Sequence, residues 1–291
     1  MAKRVKSVNQ LGFAEDKVLY YGIMALAFLI PLVLFRATHN QFDLPKITVL
    51  WTGSIFLFLC WLFSFFVNGE IQIKRTALDI PILVFLLLVA LSTALSIDLA
   101  TSIFGKYARF EGLVTFLCLG VLYFLTVQAF QDISRVRTLA LIVALAAFLS
   151  ALYGLVQFAG YDFLEWGQLP FELRRSFSTL GNPDFLGGFL AAIFPVILAL
   201  FFTTDDFVEK WIFTLVIITV FTCLITAFSR GAWLGAFFGV AFFLFLSFKR
   251  IFKERKKEFF IAFIVVVVVF LALGLFTLGS TDPVLHLFER I

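Results

Sequence analysis

From position 211 to 248 the chain reads WIFTLVIITVFTCLITAFSRGAWLGAFFGVAFFLFLSF, 38 residues with a single charge, Arg230. The arginine divides the stretch into two apolar runs, each about as long as an α-helix must be to cross a ~30 Å hydrocarbon layer at 1.5 Å per residue. Neither run has the polar face that a soluble helix turns to water. In lipid each backbone amide has to find its partner inside its own segment, which selects helices. The other spanning architecture, a closed barrel, needs alternating segments of about ten residues, and these runs do not alternate.

Outward from this pair, similar runs recur along the whole sequence, at 18–36, 47–67, 79–97, 112–130, 138–159, 183–203, 211–229, 231–248 and 258–278. The pattern predicts an all-α, polytopic membrane helix bundle of about nine transmembrane helices, forming one transmembrane domain over 1–291. Composition agrees: 62% of residues are hydrophobic, 14% are charged and the mean hydropathy is +1.04, against roughly a quarter charged in an ordinary soluble domain. The first run is too long for a removable signal peptide and has no small-residue cleavage site, so it reads as a retained helix. Cys60, Cys118 and Cys223 lie inside apolar runs, without the spacing of a metal site or a disulfide framework, and read as packing residues. Most of the 42 phenylalanines read as facing lipid or neighbouring helices.

Of the 23 lysines and arginines, 15 fall in the loops on the side of the N-terminus and 8 in the opposite loops. The positive-inside rule then puts the N-terminus in the cytoplasm and the C-terminus outside. The basic run 249–257 acts as a topological anchor, and its charge also suits anionic lipid. No Asp, Glu, Lys or Arg stands near the middle of a run, which argues against a proton- or sodium-coupled carrier.

With this orientation four outer segments hold most of the distinctive polar residues. The first, 35–46, contains His39 and Phe42-Asp43-Leu44-Pro45-Lys46, where proline can open a helix and lysine can snorkel. The second, 96–112, carries Lys106 and Arg109 three residues apart, so that one helical turn would aim both cations the same way; an interfacial aromatic belt accounts for the same residues. The third, 160–182, carries Arg174 and Arg175 and ends with Asn182 before Pro183, an N-cap followed by proline at the first helical position. The positive end of that helix repels cations, so an anion between Arg175 and the amides around Gly181 would satisfy both. The fourth is the junction Ser229-Arg230-Gly231. Gly231, Gly235 and Gly239 repeat every four residues and predict a small-residue face for close helix packing.

Taken in order, Phe-x-Leu-Pro-Lys at 42–46, Ser-x-x-x-Ser with Gly-x-Tyr-x-Arg-x-x-Gly at 92–112, the stretch 175–186 and Ser229-Arg-Gly-Ala-Trp-Leu-Gly235 resemble the O-antigen ligase and polymerase-like family of bacterial membrane glycosyltransferases. The resemblance implies a GT-C-like fold of about a dozen helices, with a large periplasmic loop after a span equivalent to the last run here. That loop would carry a family histidine followed by asparagine. His286 stands in Val-Leu-His-Leu-Phe and lacks this context, so the family histidine is expected beyond Ile291, the chain being the N-terminal part of a typical member. The implied activity is metal-independent and cofactor-free transfer of a glycan from undecaprenyl diphosphate to a hydroxyl of lipid A core, another glycan or a protein, at the bacterial inner membrane, in lipopolysaccharide and cell-envelope polysaccharide synthesis. Arg175 and Arg230 would bind the diphosphate, with Arg109 and Arg174 as secondary candidates and Gly181, Asn182, Pro183 and Ser229 shaping the site. Two readings of another class stay open: a non-catalytic lipid-linked sugar flippase or carrier, and a scaffold that only binds donor.

Overall fold

The computed structural model describes residues 2–68, 73–107, 109–164, 166, 175–261, 263–264 and 268. It is 78% helix, with no strand among the described residues. Nine α-helices are resolved there: α1 Ala2–Leu32, α2 Asp43–Asn68, α3 Asp79–Ala94, the short α4 Leu99–Phe104, α5 Leu113–Ala129, α6 Ile133–Phe158, α7 Pro183–Thr203, α8 Phe207–Thr226 and α9 Arg230–Glu254. Among the described residues five helical stretches are long and apolar enough to cross a membrane: 43–64, 133–158, 183–203, 207–226 and 230–248. Lys17–Leu32, Asp79–Ala94 and Leu113–Ala129 are apolar but shorter. The run expected at 258–278 lies mostly outside the described residues.

The chain divides into two compact units, 1–142 and 143–291. In the first, α1, α2 and α5 close around Leu19, Ile23, Leu26, Leu57, Leu125, Ala129 and Phe130. A methyl on Gly22 would meet Leu57 Cδ2 at 2.4 Å and one on Gly53 would meet Leu26 Cδ2 at 2.4 Å, so each helix seats a leucine of the other over a glycine. Polar side chains tie the helix ends: Lys46 Nζ donates to the Val33 carbonyl at 2.6 Å, and the Gln128 carboxamide pairs with both the N–H and the C=O of Lys74. Lys46, expected to snorkel, is thus bound to a carbonyl that α1 leaves open at its C-terminus.

In the second unit α7 is the central helix, packed against both α8 and α9, with Leu186, Leu190, Ile197, Ile217, Val220 and Leu224 in the core. The Asn182 side chain accepts from Asp184 N at 2.8 Å and Pro183 opens α7, as the sequence predicts. Asp206 caps α8 in the same manner through Glu209 N. At this end of α8 Lys210 pairs with Glu258 at 2.8 Å, and Arg255 pairs with Asp205 and, at 3.6 Å, with Glu258.

Candidate anion site at the junction of α8 and α9

The site is built on a polar seam. Ser150, Gly154 and Gln157 stand four and three residues apart on α6, which puts them on one helical face. The segment 176–178 lies along it. Ser176 Oγ donates to the Gly154 carbonyl at 2.9 Å, Ser178 Oγ to the Ser150 carbonyl at 2.6 Å, and Ser178 N to Gln157 Oε1 at 2.6 Å. From the other side Ser176 N donates to the Thr226 carbonyl at 3.1 Å and the Ser176 and Thr226 hydroxyls lie 2.8 Å apart. Ser150, Ser176 and Ser178 are fully buried, and the Ser150 hydroxyl is the one buried side-chain oxygen or nitrogen without a partner among the described residues. Gly154 is required by closeness, since a methyl there would stand 2.8 Å from Cys223 Sγ. A 3-10 turn, Ser178–Leu180, follows, and Gly181 at φ 72° reverses the chain into Asn182, a left-handed position that glycine adopts without steric cost.

This zipper fixes where Arg175 points. Its Nε donates to the Ala227 carbonyl at 3.0 Å and its Nη2 to the Phe228 carbonyl at 3.1 Å, while Nη2 also meets Asp184 Oδ1 at 3.3 Å. The two carbonyls belong to the end of α8, where the helix dipole is negative and the last C=O groups lack intrahelical partners. The sequence asks for an anion to offset Arg175 at the positive end of α7; the end of α8 and the carboxylate of Asp184 already give it counter-charge. Phe228, at φ 50°, sits in the left-handed region that costs a bulky residue of order 1–3 kcal/mol. Arg175 fastens that turn.

One residue later α9 begins. The Ser229 carbonyl accepts from Trp233 N at 3.1 Å, which makes Ser229 the N-cap. Its hydroxyl makes no capping bond among the described residues, although the residue is only 6% exposed. The amides of Arg230, Gly231 and Ala232 likewise have no backbone partner there. The Arg230 side chain is exposed and takes part in no ion pair among the described residues. Arg230, Ser229 and Asp184 stand in the lining of a groove of about 720 Å³, which continues between α7 and α9 along Gly188, Ala191, Ala192, Pro195, Gly231, Gly235 and Gly239. Pro195 has no N–H to give the Ala191 carbonyl, so the wall includes a backbone oxygen deprived of its helical donor.

The glycine repeat on α9 is only partly a packing face. A methyl on Gly239 would meet Pro195 Cγ at 3.1 Å, but nothing lies within 4 Å of a methyl on Gly231 or Gly235. Close approach of α7 to α9 is made at Gly187, where a methyl would stand 2.8 Å from Ala232 Cβ. Gly231 and Gly235 leave room instead of filling it.

In the first unit the segments 35–46 and 96–112 meet: the His39 and Tyr107 rings lie 6.3 Å apart, and Trp51 Nε1 donates to Thr115 Oγ1, whose hydroxyl donates to the Phe110 carbonyl. Lys106 and Arg109 occupy a tight turn rather than a helix, with the amides of Arg109 and Phe110 both donating to the Lys106 carbonyl at 3.0 Å. The turn is pinched by two glycines whose backbones touch: a methyl on Gly112 would stand 2.3 Å from Gly105 N. Lys106, Tyr107 and Arg109 project exposed from it. Arg174 and His286 lie outside the described residues.

Thr226, Ser150 and Gln157 are the polar residues of this region that a search for charges and motifs passes over, and Asp184 stands inside the stretch 175–186 with no role assigned from sequence. The small-polar stripe Ser150-x3-Gly154-x2-Gln157 is the signal that marks the seam. No family model matches the chain, and neither a curated protein nor a solved structure matches it.

Proposed function

We propose that this chain belongs to a membrane glycosyltransferase of the O-antigen ligase and polymerase type, which holds a glycan on undecaprenyl diphosphate and passes it to an acceptor hydroxyl. The observation that carries this reading is the α9 N-terminus, where an exposed arginine, an uncapped serine and open amides head a groove walled by glycine, alanine and proline. Helix N-termini bind anions, guanidinium meets phosphate oxygens two at a time, and the groove suits an apolar tail. An anion with a long hydrocarbon tail is the ligand class that fits both.

In this reading the acceptor oxygen attacks the anomeric carbon, the bond from that carbon to the diphosphate oxygen breaks, and its electron pair leaves on the lipid diphosphate. The acceptor proton goes to a base that the family resemblance puts after the last apolar run. Charge grows on the leaving group, so Arg230 stabilises the transition state more than the ground state. Arg175 shapes the same corner through the Ala227 and Phe228 carbonyls and adds its own charge. The site opens outward, in a GT-C-like bundle of about nine spans with the N-terminus in the cytoplasm of a bacterial inner membrane. Lipid A core, another glycan or a protein supplies the hydroxyl.

The test is transfer by the full-length protein in proteoliposomes, with a glycan on undecaprenyl diphosphate as donor. Arg230→Ala should lower the rate by roughly 10²–10³, the cost of removing one preorganised donor. Transfer and donor binding that survive charge removal at both Arg175 and Arg230 would sink the reading.

A further inference from the structure

The seam on α6 continues past the end of that helix to a carboxylate that the site itself does not use. Asp162 accepts four hydrogen bonds: Tyr153 Oη at 2.8 Å and Leu164 N at 3.0 Å on Oδ1, and Gln157 Nε2 at 2.9 Å and Trp166 Nε1 at 2.6 Å on Oδ2. A carboxylate has about four lone-pair sites, and here four donors take them. With its acceptor sites taken by the protein's own donors, its task is structural.

Gln157 shows what that task is. Its NH2 faces Asp162 and its oxygen accepts from Ser178 N at 2.6 Å, with the residue only 4% exposed. Turning the amide over would set oxygen against carboxylate and NH2 against N–H, so Asp162 fixes which end Ser178 meets. A second route runs through Trp166, whose ring lies edge-on to Phe177 at 5.9 Å. Both routes end within three residues of Arg175.

We infer that Asp162 and Gln157 are positioning residues, which hold the segment bearing Arg175 in register against the end of α8 without touching any ligand themselves. The inference adds a function to the donor site only if the reading under Proposed function holds, and the following experiment separates the two. The full-length chain in nanodiscs is followed by hydrogen–deuterium exchange over 175–182 and by its Kd for undecaprenyl diphosphate. Gln157→Glu sets a second carboxylate against Asp162, and should speed exchange and weaken binding by about tenfold or more, the loss of a buried charge-assisted bond. Asp162→Asn should do the same to a smaller extent. In a Trp166→Phe background, which removes the indole N–H that would oppose an amide NH2 at the place of Asp162 Oδ2, the double variant Gln157→Glu/Asp162→Asn exchanges donor and acceptor, the introduced carboxylate still accepting from Ser178 N. Compared with the two singles in that background, both readouts should return to within about threefold of the Trp166→Phe protein, the non-additivity expected of a directly coupled pair. Trp166→Phe removes one donor while keeping the ring, and should speed exchange over 175–178 even if Gln157→Glu fails to fold.

Unchanged exchange in Asp162→Asn and Trp166→Phe overturns the inference, as does a double variant no better than the sum of the singles. Restored exchange in the double variant, with a Kd that never moves even in Arg230→Ala, upholds the positioning and overturns the donor reading instead.

Discussion

The guanidinium of Arg175 reaches 52 residues along the chain to the carbonyl of Ala227, 3.0 Å from its Nε. This one bond makes Arg175 and Arg230 unequal. Arg175 closes the C-terminus of α8 and carries fold as well as charge, whereas Arg230 is exposed and takes part in no ion pair among the described residues.

Alanine at the two positions should therefore separate stability from binding. Arg175→Ala removes hydrogen bonds from a charged donor to two carbonyls and is expected to cost about 1.5–3 kcal/mol, lowering the Tm of the detergent-solubilised protein together with diphosphate affinity. Arg230→Ala should leave Tm within experimental scatter and lower affinity alone. Arg175→Lys keeps the charge but not the fork, and a Tm near that of Arg175→Ala is the expected result. Equal Tm losses at both positions would contradict the division of roles.

Ser150 offers a change in the opposite direction. Its hydroxyl is buried without a partner among the described residues, while its carbonyl holds Ser178. Ser150→Ala deletes the unsatisfied group and keeps the carbonyl, so Tm should hold or rise slightly, since a buried unpaired hydroxyl costs about 1–3 kcal/mol. A marked loss of stability would mean that the hydroxyl has a partner after all.

Gly112→Ala tests the pinched turn in the first unit. The new methyl would stand 2.3 Å from Gly105 N and 2.4 Å from the Ile103 carbonyl, both backbone atoms that cannot step aside singly. The expected cost is on the order of 1–3 kcal/mol from overpacking, with faster proteolysis after Lys106 and Arg109. Indifference to the substitution would show that the turn opens freely.

The cluster around Glu258 predicts a pH dependence. Its carboxylate pairs with Lys210 and Arg255, attractions that need the ionised form, so the stabilisation is present at neutral pH and is lost as acid protonates the carboxylate. Thermal unfolding from pH 7 down to pH 3 should show Glu258→Gln less stable than the parent at neutral pH and the two converging in acid. Parallel curves would remove Glu258 from the account.

The apolar runs make the helices legible because length and composition determine them without reference to neighbours, and Asn182-Pro183 marks its helix start locally. What Arg175 touches is not legible. Every residue has a carbonyl, and only the packing of α7 against α8 decides which ones come within 3 Å. Gly231 and Gly235 mislead for the same reason, since a period of four gives a face but not what stands opposite it. Asp162 escapes because it is one acid in a loop of mixed residues, and its four donors converge only once α6 has ended.

The partners of the Arg175–Ser176 pair come late in the chain: Thr226, Ala227 and Phe228 lie 50, 52 and 53 residues downstream. During synthesis α6, the loop and α7 emerge while the far half of the seam is still unmade, so Ser176 and Arg175 must wait for α8 to complete their hydrogen bonds. Arrival of α8 thus completes the corner in one step, and a chain stalled before residue 226 should expose that loop to proteases and quality control. Arg175 can reach the Ala227 and Phe228 carbonyls only after α8 has been made.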